Sequence, residues 1–210
     1  MAGLFDKFLH FDLKIFEWIQ SVQAPIWSAI LKVITTLGEG GIVFILLALV
    51  LLISKKYRKI GVAVIAALLV MEVCNNLVLK ELFARPRPFN LTGAEYDWWN
   101  EIYKFPEIVS RPSSWSFPSG HTSSAFAAAI AVLWYDRKIG IPTTIFAFIM
   151  GFSRIYVEVH YPTDVLFGML VGIIYALIGV LITKYLYPKI EKPLDNLFEK
   201  IKPKKEKEVA

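Results

Sequence analysis

Two of the three histidines in this chain lie in separate short motifs whose residue types suit phosphate chemistry. His121 ends the tetrapeptide Pro-Ser-Gly-His, whereas His160 follows Arg154 and precedes Asp164. A neutral imidazole is a good nucleophile when its other nitrogen donates to a carboxylate, and a second imidazole can protonate the leaving oxygen. The pattern therefore predicts His160 as nucleophile, Asp164 as its carboxylate partner and His121 as general acid.

Basic side chains and a glycine turn supply what a phosphate group needs beside those histidines. Lys80, Arg87 and Arg154 can neutralise its negative charge, and arginine adds a planar fork that matches two phosphate oxygens. Ser119 and Gly120 precede an apolar segment, so unpaired amides at a helix start can bind the anion there. Glycine permits that close approach. We predict these five residues as the phosphate-binding set.

The bulk composition indicates an integral membrane protein. Of the 210 residues, 56% are hydrophobic, and the mean hydropathy of +0.52 is too high for a soluble domain. The net charge of +5 lies mostly in short loops and near the end of the chain, so no nucleic-acid partner is expected. Cys74 is the single cysteine, which excludes an intrachain disulfide and a cysteine-based metal site. We predict no metal, no cofactor and no cleaved signal.

Five apolar segments of spanning quality predict an all-α fold, a polytopic transmembrane helical bundle. The first is shorter than the roughly 20 residues that cross a bilayer, so it must borrow neighbours. The third is rich in serine and alanine, which let helices approach closely where lipid gives no hydrophobic drive for association. The segments are residues 41–54, 60–79, 122–135, 139–156 and 165–187.

The rest of the chain flanks this bundle. In residues 1–37, apolar residues recur at roughly helical spacing but charges interrupt them, which predicts amphipathic helices in the membrane interface. A sixth span assembled from this segment stays open. Residues 38–187 form the predicted transmembrane domain that carries the motifs. Residues 188–210 mix lysines with acidic residues, which predicts a basic, solvated and partly helical cytoplasmic tail.

The positions of lysine and arginine predict the orientation in the membrane. Basic residues collect in residues 55–59, 137–138 and 189–207, and positive charge in short loops marks the cytoplasmic side. The segments 80–120 and 157–164, which carry the motifs, then lie together on the opposite side. Charge distribution and motif position are independent observations, and both indicate a single extracytoplasmic site.

The motifs occur in the order Lys80-x6-Arg87-Pro88, Pro118-Ser119-Gly120-His121 and Ser153-Arg154-x5-His160-x3-Asp164. This pattern resembles the three-part signature of the type 2 phosphatidic acid phosphatase family, over about residues 60–187. The resemblance implies a metal-independent lipid phosphatase with a phosphohistidine intermediate on His160 and His121 as general acid. Vanadate-dependent haloperoxidases and soluble acid phosphatases share the signature, but the apolar spans argue against both.

Several polar residues and one loop admit two interpretations. Arg85 and Arg111 either contact lipid headgroups at the membrane edge or act directly at the site. Glu158 is either solvated or paired with a cation, which is the favoured interpretation, or it is catalytic. The aromatic residues of the segment 89–117 either anchor it at the membrane boundary or form a lid. A polar set at membrane depth either makes interhelical hydrogen bonds or supports Lys80. This set consists of Glu72, Asn75 and Asn76.

The sequence leaves the substrate open within one class. We predict a lipid phosphate or pyrophosphate, with membrane lipids as surroundings, and the candidates are undecaprenyl pyrophosphate, phosphatidylglycerophosphate and phosphatidic acid. The compact chain looks bacterial, which favours the first two. The competing hypothesis is a lipid-binding or lipid-translocating protein without catalysis, against which the intact set of His121, His160 and Asp164 argues. The oligomeric state is not predicted.

Overall fold

The regular structure of the chain is helical throughout its described part. The computed structural model describes residues 2–91 and 108–201, and no strand occurs in them, so the predicted all-α class is confirmed. One π-helical stretch covers Glu72–Leu79, and short 3-10 turns cover Glu39–Gly41 and Pro88–Asn90. The α-helices are α1 Ala2–Val22, α2 Pro25–Leu37, α3 Ile42–Ile53, α4 Arg58–Met71, α5 Lys80–Phe83, α6 Gly120–Tyr135, α7 Arg137–Tyr156 and α8 Pro162–Ile201.

Each of the five predicted apolar segments is largely helical, but the helices differ in whether they are long enough to cross a membrane. Three stretches of the described chain are long and apolar enough to cross a membrane singly, namely Arg58–Asn90, Arg137–Tyr156 and Pro162–Lys200. The pair Pro25–Leu37 and Glu39–Ile53 passes together with a bend of 48°. Helix α6 has only 16 residues, which is shorter than a full span. The number of crossings therefore stays a prediction.

The core is built around α6, which packs against α4, α7 and α8. Its alanines are completely buried, as the small-residue pattern predicted. Opposite them, Gly172 of α8 leaves no room for a side chain, because a Cβ there would lie 2.8 Å from the carbonyl oxygen of Ser123. Such contact between helix backbones fixes the start of α6 relative to the start of α8.

The basic loops meet at one end of the bundle. Lys55, in the loop before α4, forms a 2.7 Å ion pair with Asp195 near the end of α8. Arg58 is buried, pairs with the same carboxylate and stacks on Phe198. The end of α6 is adjacent, since Lys59 lies 5.4 Å from the Tyr135 ring. Helix α8 thus continues well past the last apolar segment, and its end contacts the loop before α4.

Helix α1 packs across the opposite end of the bundle. Its inner face buries Leu13, Phe16 and Ile19, whereas Phe11 and Trp18 are exposed on the outer face. The amphipathic pattern that predicted an interfacial helix is therefore satisfied on its inner face by the protein itself. The outer apolar side chains are free to contact lipid at the membrane boundary.

Candidate active site

The three motifs are distant in sequence but meet at one end of the bundle, where α5 and α7 end and α6 and α8 begin. A cavity of about 560 Å³ opens between them. Helix α2 forms one wall through Lys32 and Thr35, and the segment around Ser114 forms another. Six of the predicted site residues line this cavity: Lys80, Arg87, Gly120, His121, Arg154 and His160.

Local backbone signals explain why the motif residues fall outside or at the ends of helices. Ala84 adopts a left-handed conformation with φ of 42°, which ends α5. The following Arg-Pro-Arg-Pro run cannot continue a helix, because proline lacks the amide proton and restricts the residue before it. Pro162 stands at the first position of α8, where its fixed φ suits a helix start. His160 consequently lies in the turn between α7 and α8.

His160 is held as a neutral imidazole with one nitrogen near the cavity. Its side chain is buried, and Arg87 Nη1 lies 3.3 Å from its Nε2 atom. Because an arginine N–H only donates, Nε2 is the acceptor and the ring proton resides on Nδ1. Burial lowers the pKa of His160 well below its ordinary value, and the charges of Arg87 and Arg154 lower it further. At neutral pH Nε2 therefore carries no proton, and its lone pair accepts the Arg87 hydrogen bond.

Asp164 stands behind His160 but binds other groups more closely. Its Oδ2 atom lies 3.5 Å from His160 Nδ1, and Nδ1 has no hydrogen-bond partner among the described residues. The same oxygen accepts a 3.0 Å bond from the Tyr161 amide and a short bond from the Ser116 hydroxyl. Asp164 and His160 are therefore adjacent, but the predicted hydrogen bond between them is not formed. Catalytic hydrogen bonds are often this long before substrate binds.

Arg87 contacts the backbone of two loops beside His160. Its Nε donates to the Ser114 carbonyl at 2.7 Å, and its Nη1 donates to the Val159 carbonyl at 2.7 Å. The Nη2 atom also lies 3.1 Å from the Ser114 hydroxyl. The guanidinium is therefore largely occupied by backbone contacts, while its positive charge remains beside His160 and the cavity.

The other two predicted cations come from opposite sides of the cavity. Arg154 is buried near the end of α7, and its Nη1 donates to the Thr35 hydroxyl of α2, but its Nε has no partner among the described residues. Lys80 is half-buried at the end of the π-helical stretch. A buried guanidinium with an unused donor beside an open cavity is suited to an anion with several acceptor oxygens.

The start of α6 supplies the predicted phosphate loop. Ser119 precedes the helix, and its amide donates to the Asp164 carbonyl at 3.1 Å, so that amide is already used. Gly120 is a site of close approach, since a Cβ there would lie 3.3 Å from Asn76 Oδ1 and 3.5 Å from Lys80 Nζ. His121 follows in the first turn and lines the cavity with His160.

The polar set Glu72, Asn75 and Asn76 makes one interhelical hydrogen bond and two within its own helical stretch. Asn75 is fully buried, and its Oδ1 accepts from the Ser123 hydroxyl of α6 at 3.0 Å. Its Nδ2 donates to Asn76 Oδ1 at 3.2 Å, and Asn76 donates in turn to Glu72 at 2.7 Å. These hydrogen bonds run along the π-helical stretch, which ends next to Lys80. The contacts are therefore compatible with both interpretations of this set.

Arg85 and Glu158, which the sequence left with two interpretations each, have surroundings that differ from those expected. Arg85 is buried rather than at the membrane edge, and it pairs with Asp12 and Asp164 at 2.8 and 2.5 Å. Glu158 is buried and accepts hydrogen bonds from Gln20 and Gln23 of the α1 region, and no cation among the described residues pairs with it. Burial raises the pKa of Glu158 to about 7. The predicted lid lies largely in residues 92–107, outside the described residues.

Sequence reasoning missed several residues that contact this site. Ser116 and Thr35 bond directly to Asp164 and Arg154, and Asp12 reaches Asp164 through Arg85. For Asp12 a signal exists, because it lies four residues before Phe16 and three before Ile15, within the apolar face of α1. No spacing rule indicates Thr35 or Ser116, since both act across separate elements.

Comparison with known proteins gives matches over most of the chain. Undecaprenyl-diphosphatase BcrC of Bacillus subtilis is 34% identical over 151 residues, which cover 70% of each protein. The crystal structure of Aquifex aeolicus LpxE superposes with a TM-score of 0.64 at 31% identity, covering 80% of this chain and 93% of LpxE. The crystal structure of the transmembrane PAP2-type phosphatidylglycerolphosphate phosphatase of Bacillus subtilis has a TM-score of 0.64 at 22% identity, covering 90% of this chain and 91% of that one.

The phosphatidylglycerolphosphate phosphatase shares the fold of this chain, whereas BcrC and LpxE are also similar to it in sequence. The relatives named as phosphatases or diphosphatases are hydrolases of lipid phosphates, in keeping with the enzyme class predicted from the motifs. A family model described as the PAP2 superfamily matches residues 56–188, which contain all three motifs. The chain therefore belongs to the PAP2 superfamily.

Proposed function

We propose that this protein removes the terminal phosphate of a lipid diphosphate at the extracytoplasmic face, through a phosphohistidine on His160. The observation that carries the proposal is the arrangement around that residue. Its Nε2 atom accepts from Arg87, its Nδ1 faces Asp164, and a cavity with further basic side chains lies in front of it. This combines a neutral nucleophile with positive charge placed for the transferring phosphoryl group.

The first step follows from these positions. Arg87 Nη1 transfers its hydrogen bond from Nε2 to a phosphate oxygen. The freed Nε2 lone pair of His160 forms a bond to phosphorus while the bond from phosphorus to the leaving oxygen breaks. His121, on the same cavity, donates a proton to that oxygen. Burial and the neighbouring cations lower the pKa of His121 far below its ordinary value, so the protonated form depends on the negative charge of the bound phosphate. Lys80, Arg87 and Arg154 stabilise the charge on the phosphoryl oxygens. Water then attacks phosphorus, with His121 taking its proton; the bond from phosphorus to Nε2 breaks, which restores the neutral His160, and inorganic phosphate leaves.

The undecaprenyl carrier is the favoured substrate. The BcrC relative is named for undecaprenyl diphosphate, and the basic wall of the cavity suits a headgroup with two phosphates. Besides the three predicted cations, Lys32 of α2 lines the same cavity, and Glu39 is the one carboxylate among its described lining residues. A diphosphate presents more negative charge than a monoester, so an excess of four cations over one carboxylate favours it. Phosphatidylglycerophosphate is the alternative that a substrate panel must distinguish.

A phosphate-release assay with purified protein tests the chemistry. We expect turnover of undecaprenyl diphosphate to exceed that of phosphatidylglycerophosphate and phosphatidic acid, and to persist in EDTA. His160→Ala and His121→Ala should each lose at least about a thousandfold in kcat, because no other imidazole is within reach. His10→Ala, at an exposed position of α1, is the matched control. Retention of more than a tenth of wild-type turnover by His160→Ala protein would contradict the mechanism.

The orientation is tested by labelling in intact cells. The basic loops and the end of α8 lie at the end of the bundle opposite the candidate site, which supports an extracytoplasmic cavity under the positive-inside rule. In a Cys74→Ala background, Ser113→Cys should react with an impermeant thiol reagent, whereas Lys138→Cys should not. Both positions are exposed, so accessibility does not bias the comparison. The opposite labelling pattern would invert the topology.

A further inference from the structure

A cluster of buried charges lies behind Asp164, and one of its members comes from outside the family domain. Asp12 of α1 is fully buried, as is Asp164, and Arg85 between them is only 3% exposed. Residues 56–188 match the PAP2 superfamily model, so α1 lies outside the matched region. A buried charge is costly unless it is paired, and this cluster therefore calls for a functional explanation.

Arg85 divides its guanidinium between the two carboxylates. Its Nη1 donates to Asp164 Oδ1 at 2.5 Å and its Nη2 donates to Asp12 Oδ2 at 2.8 Å. The guanidinium carbon lies 3.7 Å from the centre of the Tyr161 ring and 4.5 Å from that of Phe5. Stacking and pairing together fix the plane of the fork.

Asp12 also holds the backbone beside Asp164. Its Oδ1 accepts from the Thr163 amide at 2.9 Å, and its Oδ2 accepts from the Thr163 hydroxyl at 2.7 Å. That hydroxyl accepts in turn from Arg85 Nη1 at 2.8 Å. The first turn of α8, which carries Asp164, is thus fixed to α1 by hydrogen bonds to both the backbone and the side chain of one threonine.

The consequence reaches the nucleophile through the orientation of one carboxylate. Arg85 takes Asp164 Oδ1, while Oδ2 accepts from the Tyr161 amide and the Ser116 hydroxyl and faces His160 Nδ1 at 3.5 Å. Without Asp12, one end of the guanidinium would be buried without a partner, and the full positive charge would act on Asp164. Asp164 would then attract the Nδ1 proton less strongly, and His160 would be a poorer nucleophile.

We propose that Asp12 is a positioning residue, which acts through Arg85 and Thr163 to hold Asp164 against His160. Helix α1 is then a part of the active site and more than a membrane contact. The inference rests on the proposed function, because it requires His160 to act as nucleophile. On this proposal, α1 contributes mainly to the chemical step and not to substrate binding.

The test compares Asp12→Asn with Glu17→Gln, which removes a carboxylate from an exposed position of the same helix. In the phosphate-release assay, Asp12→Asn should lower kcat by roughly 30-fold, the equivalent of about 2 kcal/mol, with KM within about twofold of wild type. Glu17→Gln should leave both constants within about twofold. The folded fraction of each variant is measured by thermal melting in detergent.

Inhibition by vanadate separates positioning from a merely structural role. Vanadate adopts the geometry of the transferring phosphoryl group and bonds to an aligned His160, whereas inorganic phosphate needs only the cations. For Asp12→Asn, the vanadate inhibition constant should rise roughly in step with the loss of kcat, and that of phosphate should stay within about twofold. Partial unfolding lowers the amount of active enzyme and changes neither constant.

Thr163→Val provides the second variant, should Asp12→Asn protein not fold. It removes the hydroxyl bonds to Asp12 and Arg85 but keeps the amide bond to Asp12. It should lower kcat by roughly fivefold with the same selective loss of vanadate inhibition. Unchanged kcat in either folded variant, or equal weakening of vanadate and phosphate, overturns the proposal. Absence of phosphate release by wild-type protein would instead overturn the proposed function.

Discussion

Replacement of Arg87 by lysine would separate the charge of this side chain from its shape. Lysine keeps the positive charge beside His160 but has a single nitrogen in place of the fork. The guanidinium binds the Ser114 and Val159 carbonyls simultaneously, each at 2.7 Å, with Nη1 also 3.3 Å from the histidine. One ammonium group cannot reach both carbonyls and still face the cavity. If only the positive charge of Arg87 were needed, Arg87→Lys protein would remain active. If the fork is needed, the variant loses activity.

The expected loss follows from the bonds that lysine cannot remake. Leaving one buried acceptor unpaired costs about 1–3 kcal/mol, and the two carbonyls belong to the segments that position His160 and the cavity wall. A displacement that transmits about 2–4 kcal/mol to the transition state corresponds to roughly 30- to 1000-fold in kcat/KM. The loss should appear mainly in kcat, because the charge that attracts substrate is retained.

The assay is phosphate release over a range of substrate concentrations, with thermal melting of each preparation. Arg137→Lys is the matched control, because Arg137 is exposed at the opposite end of the bundle. It should be indistinguishable from wild type. If folded Arg87→Lys protein keeps kcat/KM within threefold of wild type, the fork is dispensable and the reasoning from geometry is refuted.

Three further changes probe the phosphate loop, the α1 contact and the far end of the bundle. Gly120→Ala should lower kcat/KM by roughly 3- to 10-fold at unchanged melting temperature, since its Cβ would press on Asn76 Oδ1 at 3.3 Å. Unchanged kcat/KM would show that the loop can accommodate a Cβ at this position. Burial raises the pKa of Glu158 from 4.5 to about 7, so the native state retains a proton that the unfolded chain releases, and the free energy of unfolding falls as pH rises through that window. Glu158→Gln should therefore melt higher than wild type at pH 8 and converge with it near pH 4.5, and a difference independent of pH would contradict this. Asp195→Asn leaves Arg58 buried without its carboxylate, and should lower the melting temperature without changing kcat; altered kcat at a temperature where the variant is folded would indicate coupling across the bundle.

The fold class and most of the site were predictable because their signals are local. Apolar runs indicate helices in a membrane wherever they occur, and the small residues of α6 indicate close packing without knowledge of the partner. The cavity residues Lys80, Gly120 and His160 were found because each lies in a short motif with characteristic chemistry. Length was a weaker guide, since α6 is shorter than a full span.

Helix α1 contains a charge whose role the sequence pattern does not reveal. Asp12 is one of the charges that interrupt the apolar spacing of residues 1–37, yet it is fully buried on the inner face of that helix. An acidic residue in phase with buried apolar neighbours indicates a buried partner, but the sequence does not say which cation supplies it. Arg85 had two interpretations of its own, and neither included a pair of aspartates.

The sequence alone determined the membrane setting, the helical class and the chemical types at the site, because composition and short motifs carry that information within a few residues. Only the tertiary structure decided which groups are neighbours. It directed Arg87 to the backbone of two loops, brought Thr35 of α2 to Arg154, and linked Asp12 to Asp164. Such contacts join residues whose separation along the chain is arbitrary, and they depend on how helices pack, which no spacing within one segment encodes.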